Sequence, residues 1–348
     1  MSNRDDFGPA TKNELAHRVA HTCSAPSCGA ATIGPSDVRK GRVTNVGVGA
    51  HITAAAEGGP RYDGSLSRGE RAGYGNGIWL CAIHAKLIDD NEDRYPVSLL
   101  RTWKENAERN ARVRVGRPAD SRVPSLLLDH AVVIPKGDES RALAHFLDDV
   151  GALEAWGPVV FEATKFLAYE TALNAFDHGG AESLGVRTEK GCLFLSYEAP
   201  EFGPLDLEKA EGDGGAAALR SFKDQCDGIM ELTYRHRDGV NEWSVVDLSR
   251  GLNNHPCALR LTRNIGQGAD FTRVEGCAEV HVHVPDTDRI FSFSDAGKLA
   301  RQLVDRLPER SYVFHGVSDD PHLRAFIVER LPRVRFAASR RRAARTDE

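Results

Sequence analysis

Two short runs of metal-type side chains stand far apart in the chain: Cys23-Ser-Ala-Pro-Ser-Cys28 and Cys81-Ala-Ile-His84. Each puts two N/S donors on a short knuckle, and two knuckles that meet in space close a tetrahedral zinc site. The long gap is no obstacle, because only the folded hairpins have to meet. Such a site stabilises a small domain with few large apolar side chains, but by itself it implies folding and not catalysis. A second pattern lies further on, where Glu170, Asn174 and His178 recur at i, i+4 and i+8. At about 3.6 residues per turn these lie along one helix face. A carboxylate and an amide so placed could hold Mg²⁺ over a nucleoside triphosphate, with the acid acting on water. On spacing alone the same stripe also fits a solvated helix face.

The elements that must position these groups fall into three blocks. Residues 12–113 are rich in His, Cys, Gly and Arg and close on a helical stretch, 96–113. The segment 115–124 carries two prolines without apolar periodicity and reads as a linker. Residues 125–348 read as α/β. Strands are expected at 125–134, 182–188, 191–198 and 229–234, with helices at 138–150 and 159–178. The glycines after His178 stop the second helix. Further on, strands at 278–284 and 312–317 alternate with helices at 294–307 and 321–331.

The chain has 348 residues, 45 Lys+Arg and 50 Asp+Glu, for a formal net charge of -5. No global basic excess marks a nucleic-acid partner, but charge is uneven: residues 1–116 hold 16 Lys/Arg against 13 Asp/Glu, and 333–345 hold six arginines. No apolar run reaches the roughly 18 residues of a membrane helix, and the polar opening stretch lacks the apolar core of a secretory signal. Of the seven cysteines, Cys192, Cys226, Cys257 and Cys277 are scattered, which suits a reduced cytoplasm better than a disulfide framework.

Between the knuckles the sequence reads GVGAHITAAAEGGPRYDGSLS and then GYGNGIWLCAIHAKLIDDNEDRYPVSLLRTWK. Over roughly residues 15–110 this resembles the HNH (ββα-metal) nuclease superfamily. The resemblance makes His51 the general base that activates water, a task suited to a near-neutral pKa. It makes Asn76 the residue that orients that base or its loop, and Asp89 a ligand of a catalytic divalent ion. Arg61 is read as neutralising a substrate phosphate. Two positions depart from the family pattern: Ala50 stands where many relatives carry a metal-binding Asp, and Ala85 where many carry a second His. The catalytic ion would then rest on Asp89 with water, or on His84 if that residue is not on zinc.

The helix text YETALNAFDHGGA resembles the N-box of the GHKL ATPase superfamily, which includes histidine kinases. That resemblance, over residues 125–250, makes Asn174 the Mg²⁺ ligand and Glu170 the hydrolytic base. A lid is matched by Gly212-Asp213-Gly214-Gly215. The adenine-reading box is absent, its place being taken by Glu198-Ala-Pro-Glu-Phe-Gly203. The stretch 251–335 is similar to STAS-like domains.

The expected fold class is α+β: a zinc-stapled ββα-metal domain at 12–114, the linker 115–124, a GHKL-like α/β sandwich at 125–250, a small α/β unit at 251–335 and a basic tail at 336–348. The expected function is a cytoplasmic, metal-dependent endonuclease that hydrolyses DNA, or RNA, and is regulated by the C-terminal sensor. Such fusions resemble anti-phage defence proteins, an analogy of context only. The alternative is a nucleotide-binding regulator whose HNH-like module only binds nucleic acid or zinc; a site-specific restriction enzyme is a third reading. The cofactors are structural Zn²⁺, catalytic Mg²⁺ or another divalent cation, and ATP. The partners are nucleic acid and a nucleotide activator, with no membrane. A single ββα site cuts one strand, so double-strand breaks would need a homodimer or sequential nicking.

Overall fold

The computed structural model describes the chain apart from residues 1–3, 37–40, 118–125, 210–212, 249–253, 262–268, 285–290, 332 and 338–348. Most of the expected linker, Gly212 of the lid and the arginines 340–342 lie outside the described residues. The architecture is mixed α/β and divides into two compact units, Met1–His130 with Ala144–Phe161, and Ala131–Leu143 with Glu162–Glu348.

The first unit begins with α1 (Pro9–Arg18), where proline suits the first helical turn. Next come the strand pair β1 (Ile33–Pro35) and β2 (Val43–Asn45) and then β3 (Gly47–His51). A long connection contains the single turn α2 (Arg68–Arg71), started by a Ser67/Glu70 capping box. It leads to β4 (Gly77–Cys81), α3 (Ala82–Asp90) and α4 (Val97–Arg114). Strands β3 and β4 pair antiparallel, with Gly47 opposite Cys81 and His51 opposite Gly77. Strand β4 is buried throughout, as its uninterrupted Ile-Trp-Leu run requires. Phe7, Leu15, Val19 and Trp79 form the core beside it. Gly47 has to be glycine: a Cβ there would sit 2.1 Å from the Trp79 ring. Arg94 pairs with Asp149 at 2.9 Å, and the Trp103 indole donates to the Asp149 carbonyl at 2.8 Å.

The chain continues through β5 (His130–Pro135), α5 (Glu139–Asp149), α6 (Ala152–Trp156) and α7 (Pro158–Leu173). It goes on with β6 (Ser183–Glu189), β7 (Cys192–Glu198), α8 (Pro204–Lys209), α9 (Asp213–Cys226), β8 (Met230–Arg237) and β9 (Val240–Asp247). The second unit's larger sheet has the order β5-β6-β7-β9-β8. Its hairpins turn on Lys190-Gly191 and Asp238-Gly239, where all four residues have positive φ, the geometry whose twist matches antiparallel strands. The second sheet is parallel and runs in chain order: β10 (Ala258–Arg260), β11 (Glu279–His283), β12 (Ser311–His315) and β13 (Val334–Phe336). Helices α10 (Phe293–Arg306) and α11 (Pro321–Arg330) supply the crossovers, and Val280, Val282, Leu299, Leu303, Phe314 and Ile327 fill its core. The sequence sets this α/β stretch apart as a third domain; in the structure it belongs to the same compact unit as the five-stranded sheet. The Ala278 amide donates to the Tyr234 carbonyl at 3.2 Å and the His236 amide to the Gly276 carbonyl at 3.3 Å.

Two features depart from expectation. Cys257 and Cys277 form a disulfide, against the reading of the scattered cysteines as a reduced set. The 159–178 helix ends its α-form at Leu173 and finishes as a π-turn over Asn174–His178.

Candidate metal centre and the cavity beside it

The knuckle Cys23–Cys28 folds back on itself: the Cys23 amide donates to the Ala30 carbonyl at 2.9 Å, and the Ser24 amide to the Trp79 carbonyl at 3.0 Å. The second bond docks the knuckle against β4, whose last residue is Cys81. Cys81 caps α3, its Sγ accepting from the His84 amide at 3.5 Å, while His84 Nδ1 lies 3.3 Å from the same sulfur. The ligand atoms of Cys23, Cys28, Cys81 and His84 all lie within 4.8 Å of one another. These are the four residues read from spacing, and the fold brings them together. Burial pushes the Cys23 thiol up to about 12, so the thiolate is disfavoured there without a cation to balance it. Burial and Arg94 push His84 below its ordinary value, which keeps its imidazole neutral as a ligand requires. Three sulfurs and one nitrogen suit zinc in a closed, structural site.

The other end of the same hairpin carries His51. Helix α3 turns back along β3 and β4, so its later residues come to the His51 end. Ala50, His51, Ala85 and Asp89 line one cavity of about 380 Å³, with Arg4, Glu57 and the glycine-rich loop 54–60. His51 stacks on Phe7 at 3.8 Å between ring centroids, with the rings 9° from parallel. Its Nε2 lies 3.2 Å from the Asp5 carbonyl. A carbonyl only accepts, so Nε2 carries the ring proton and Nδ1 keeps its lone pair. Asp5 is itself fixed by Arg68 at 2.8 Å and Arg71 at 2.9 Å, which hold its carboxyl below the usual range. Burial pushes His51 below its ordinary value, so the neutral base persists to lower pH.

Asn76 is buried and is not among the residues lining this cavity. Its Oδ1 accepts from the Thr53 amide at 2.9 Å and the Thr53 hydroxyl at 2.7 Å, and its Nδ2 donates to the Thr53 carbonyl at 2.8 Å and the Arg71 carbonyl at 3.1 Å. It therefore pins the segment that follows His51. Arg61, at positive φ, donates to the carbonyls of Ile52 at 2.8 Å and Ile88, and lies 3.2 Å from Asp89 Oδ1. Its guanidinium ties the loop to the end of α3 and holds Asp89 in place. The two alanines noted in the sequence, Ala50 and Ala85, both face the cavity. Among the described residues, two groups of three or more metal-type donors converge within 4.8 Å, and neither includes His51 or Asp89. Asp5, Phe7 and Thr53 escaped the sequence reading, because their roles run through a carbonyl, a ring face and backbone groups that no motif spells.

In the second unit, Asn174 Nδ2 donates to the Glu170 carbonyl at 2.8 Å, so the amide folds back on its own helix. The π-turn is wider than an α-turn. It carries the exposed His178 off the line that a continuous α-helix would give. Gly214 and Gly215 of the expected lid lie at the start of α9 and pack directly on the pair: a Cβ on Gly214 would meet Glu170 Oε2 at 2.6 Å, and one on Gly215 would meet Asn174 Nδ2 at 2.7 Å. A nucleotide over Glu170 and Asn174 would need this segment to move.

No family model and no curated protein matches the chain. Among solved structures, the histidine kinase domain of the blue-light activated histidine kinase from Erythrobacter litoralis EL346 is similar at 13% identity and a TM-score of 0.22, covering 49% of this chain and 88% of that one. At that TM-score the likeness carries no argument. Among the described residues no helix is long and apolar enough to cross a membrane.

Proposed function

We propose that the first unit is a zinc-stapled, HNH-type nuclease module that hydrolyses phosphodiester bonds of DNA. The observation that carries this reading is the strand-strand-helix unit itself. One end gathers Cys23, Cys28, Cys81 and His84, and the other places His51 and Asp89 on one cavity. In the proposed reaction His51 takes the proton of an attacking water at Nδ1, Asp5 and Phe7 hold the ring, and Asn76 holds the loop behind it. Mg²⁺ commonly binds through one or two carboxylates, several waters and the substrate's own phosphate, and the donor set here fits that habit. Asp89, with Glu57 on the same cavity, would hold such an ion. Its chemistry would be to neutralise charge on the phosphate and leaving oxygen.

For the second unit, the N-box resemblance supports a regulatory role in which a nucleotide or partner displaces the glycines of α9 from Glu170 and Asn174. Nicking of supercoiled plasmid with Mg²⁺, in the presence and absence of ATP, tests both parts. Mg²⁺-dependent nicking supports the nuclease, and a change in its rate with ATP supports the sensor. Ala50 and Ala85 favour a second reading, a module that binds nucleic acid without cutting it. Retarded DNA in a gel-shift assay, with no nicking at any divalent ion concentration, would select that reading.

A further inference from the structure

The second group of converging donors lies wholly in the second unit and belongs to none of the motifs read above. Glu231 on β8, His255 before β10 and His281 on β11 bring one ligand atom each within 4.8 Å of one another. His281 Nε2 lies 3.1 Å from Glu231 Oε1, and His255 Nε2 lies 3.6 Å from Glu231 Oε2. Donors on a tetrahedral ion with bonds of about 2.0–2.1 Å stand roughly 3.3–3.5 Å apart, so both separations are close to what a shared ion would set. Both histidines are buried, at 0% and 1% exposure. His255 Nε2 is enclosed, has no hydrogen-bond partner and is aimed at the carboxylate. An unsatisfied buried nitrogen is costly, and a metal bond would remove that cost.

The surroundings are built for rigidity. The Cys257–Cys277 disulfide joins the segment two residues after His255 to the one four residues before His281. The His281 amide donates to the Cys257 carbonyl at 2.9 Å. On its far side His281 Nδ1 lies 2.9 Å from His315 Nε2, the outer hydrogen bond that commonly orients a ligating imidazole. Arg335 lies 3.4 Å from Glu231 and 2.6 Å from Glu279. Glu231, His281, His315 and Arg335 all border a cavity of about 730 Å³, which leaves room for water in a fourth coordination position.

We propose that Glu231, His255 and His281 form a second divalent-metal site, of the open two-histidine, one-carboxylate kind, which takes zinc. The Cys257 amide donates to His255 Nδ1 at 3.1 Å, an arrangement in which the neutral ring carries its proton on Nε2. Loading requires that proton to move to Nδ1, so the Cys257 contact is exchanged for a metal bond. Imidazole and carboxylate donors suit zinc, with no thiolate needed. The site is independent of the nuclease reading and of the Cys3His centre.

The test uses the full chain, dialysed against Zn²⁺ and freed of excess metal, with zinc counted per chain by mass spectrometry. The wild type should hold one equivalent more than the His255→Gln/His281→Gln variant, whatever the state of the Cys3His centre. Equal counts would overturn the proposal. X-ray absorption on the zinc-loaded chain carrying His51→Ala, Glu57→Ala and Asp89→Ala, which strips the donors from the other cavity, gives an independent readout. With both sites filled, the mean sulfur count per zinc should be about one and a half, the average of three and none. Only nitrogen and oxygen neighbours would mean that the new site alone is filled, which also supports it. Three sulfurs per zinc would overturn it.

Discussion

The two ends of one strand-strand-helix unit are built to different standards. At the Cys81 end, four donors stand within 4.8 Å, on a docked knuckle and a helix N-terminus. At the His51 end, one histidine and the carboxylates of Glu57 and Asp89 line a cavity whose wall also carries Ala50 and Ala85, and these donors do not converge. The same β3, β4 and α3 thus carry a complete site and a sparse one. A structural metal must be bound for the domain to fold, so its ligands have to be complete. A catalytic ion that binds with its substrate can take missing ligands from water and phosphate.

The largest expected effect comes from dismantling the complete end. Structural zinc contributes on the order of 10 kcal/mol to coupled folding and binding. Cys81→Ser should therefore lower zinc content by one equivalent per chain and remove amide protection from β3, β4 and α3 in hydrogen exchange. Protection that survives in the variant would mean that the knuckles merely decorate the fold. Next in size is Asn76→Ala, which leaves the Thr53 amide and hydroxyl without their acceptor and should cost about 2–3 kcal/mol in a denaturant melt. Because the loss frees the segment after His51, nicking should fall as well. A stability loss with full activity would separate Asn76 from the site.

The comparison sharpens if the sparse end is completed. Ala85→His adds a donor to the cavity wall and should lower the Mn²⁺ concentration for half-maximal nicking roughly tenfold, while leaving zinc content unchanged. No shift would place the divalent ion elsewhere. The smallest effect concerns pH. His51 is held below its ordinary 6.5 by burial. A depressed pKa keeps the base neutral at lower pH, so the acid limb of the kcat/KM profile should fall below pH 6.5. A limb above that value would assign the titration to another group.

How much could be read from the sequence depends on how local each signal is. The convergence of Cys23, Cys28, Cys81 and His84 was legible because each pair sits on one short knuckle, and the expected 96–113 helix matches α4 closely. His51 and Asp89 were named by resemblance, and the fold brings them to one cavity. Arg61 was read as a phosphate contact; its position shows a clamp on two carbonyls and Asp89, which composition could not reveal. The Glu170–His178 stripe assumed an unbroken α-helix, and the π-turn changes its geometry. Helices α8 and α9 were missed: α8 is only the six residues PLDLEK, and Gly214 and Gly215 at the start of α9 read as loop, although Ala216, Leu219, Phe222 and Cys226 form a buried stripe along it. Glu231, His255 and His281 come from three separated segments with no shared spacing, so only tertiary structure brings them together.

The most direct test of the difference between the two ends is to measure zinc content and plasmid nicking in the same samples of wild type and His51→Ala. Loss of a general base typically costs about 10²–10⁴-fold. The variant should keep its full zinc and lose nicking by that factor. Nicking at the wild-type rate in a zinc-loaded variant would contradict the assignment of His51 and, with it, the nuclease reading of the cavity.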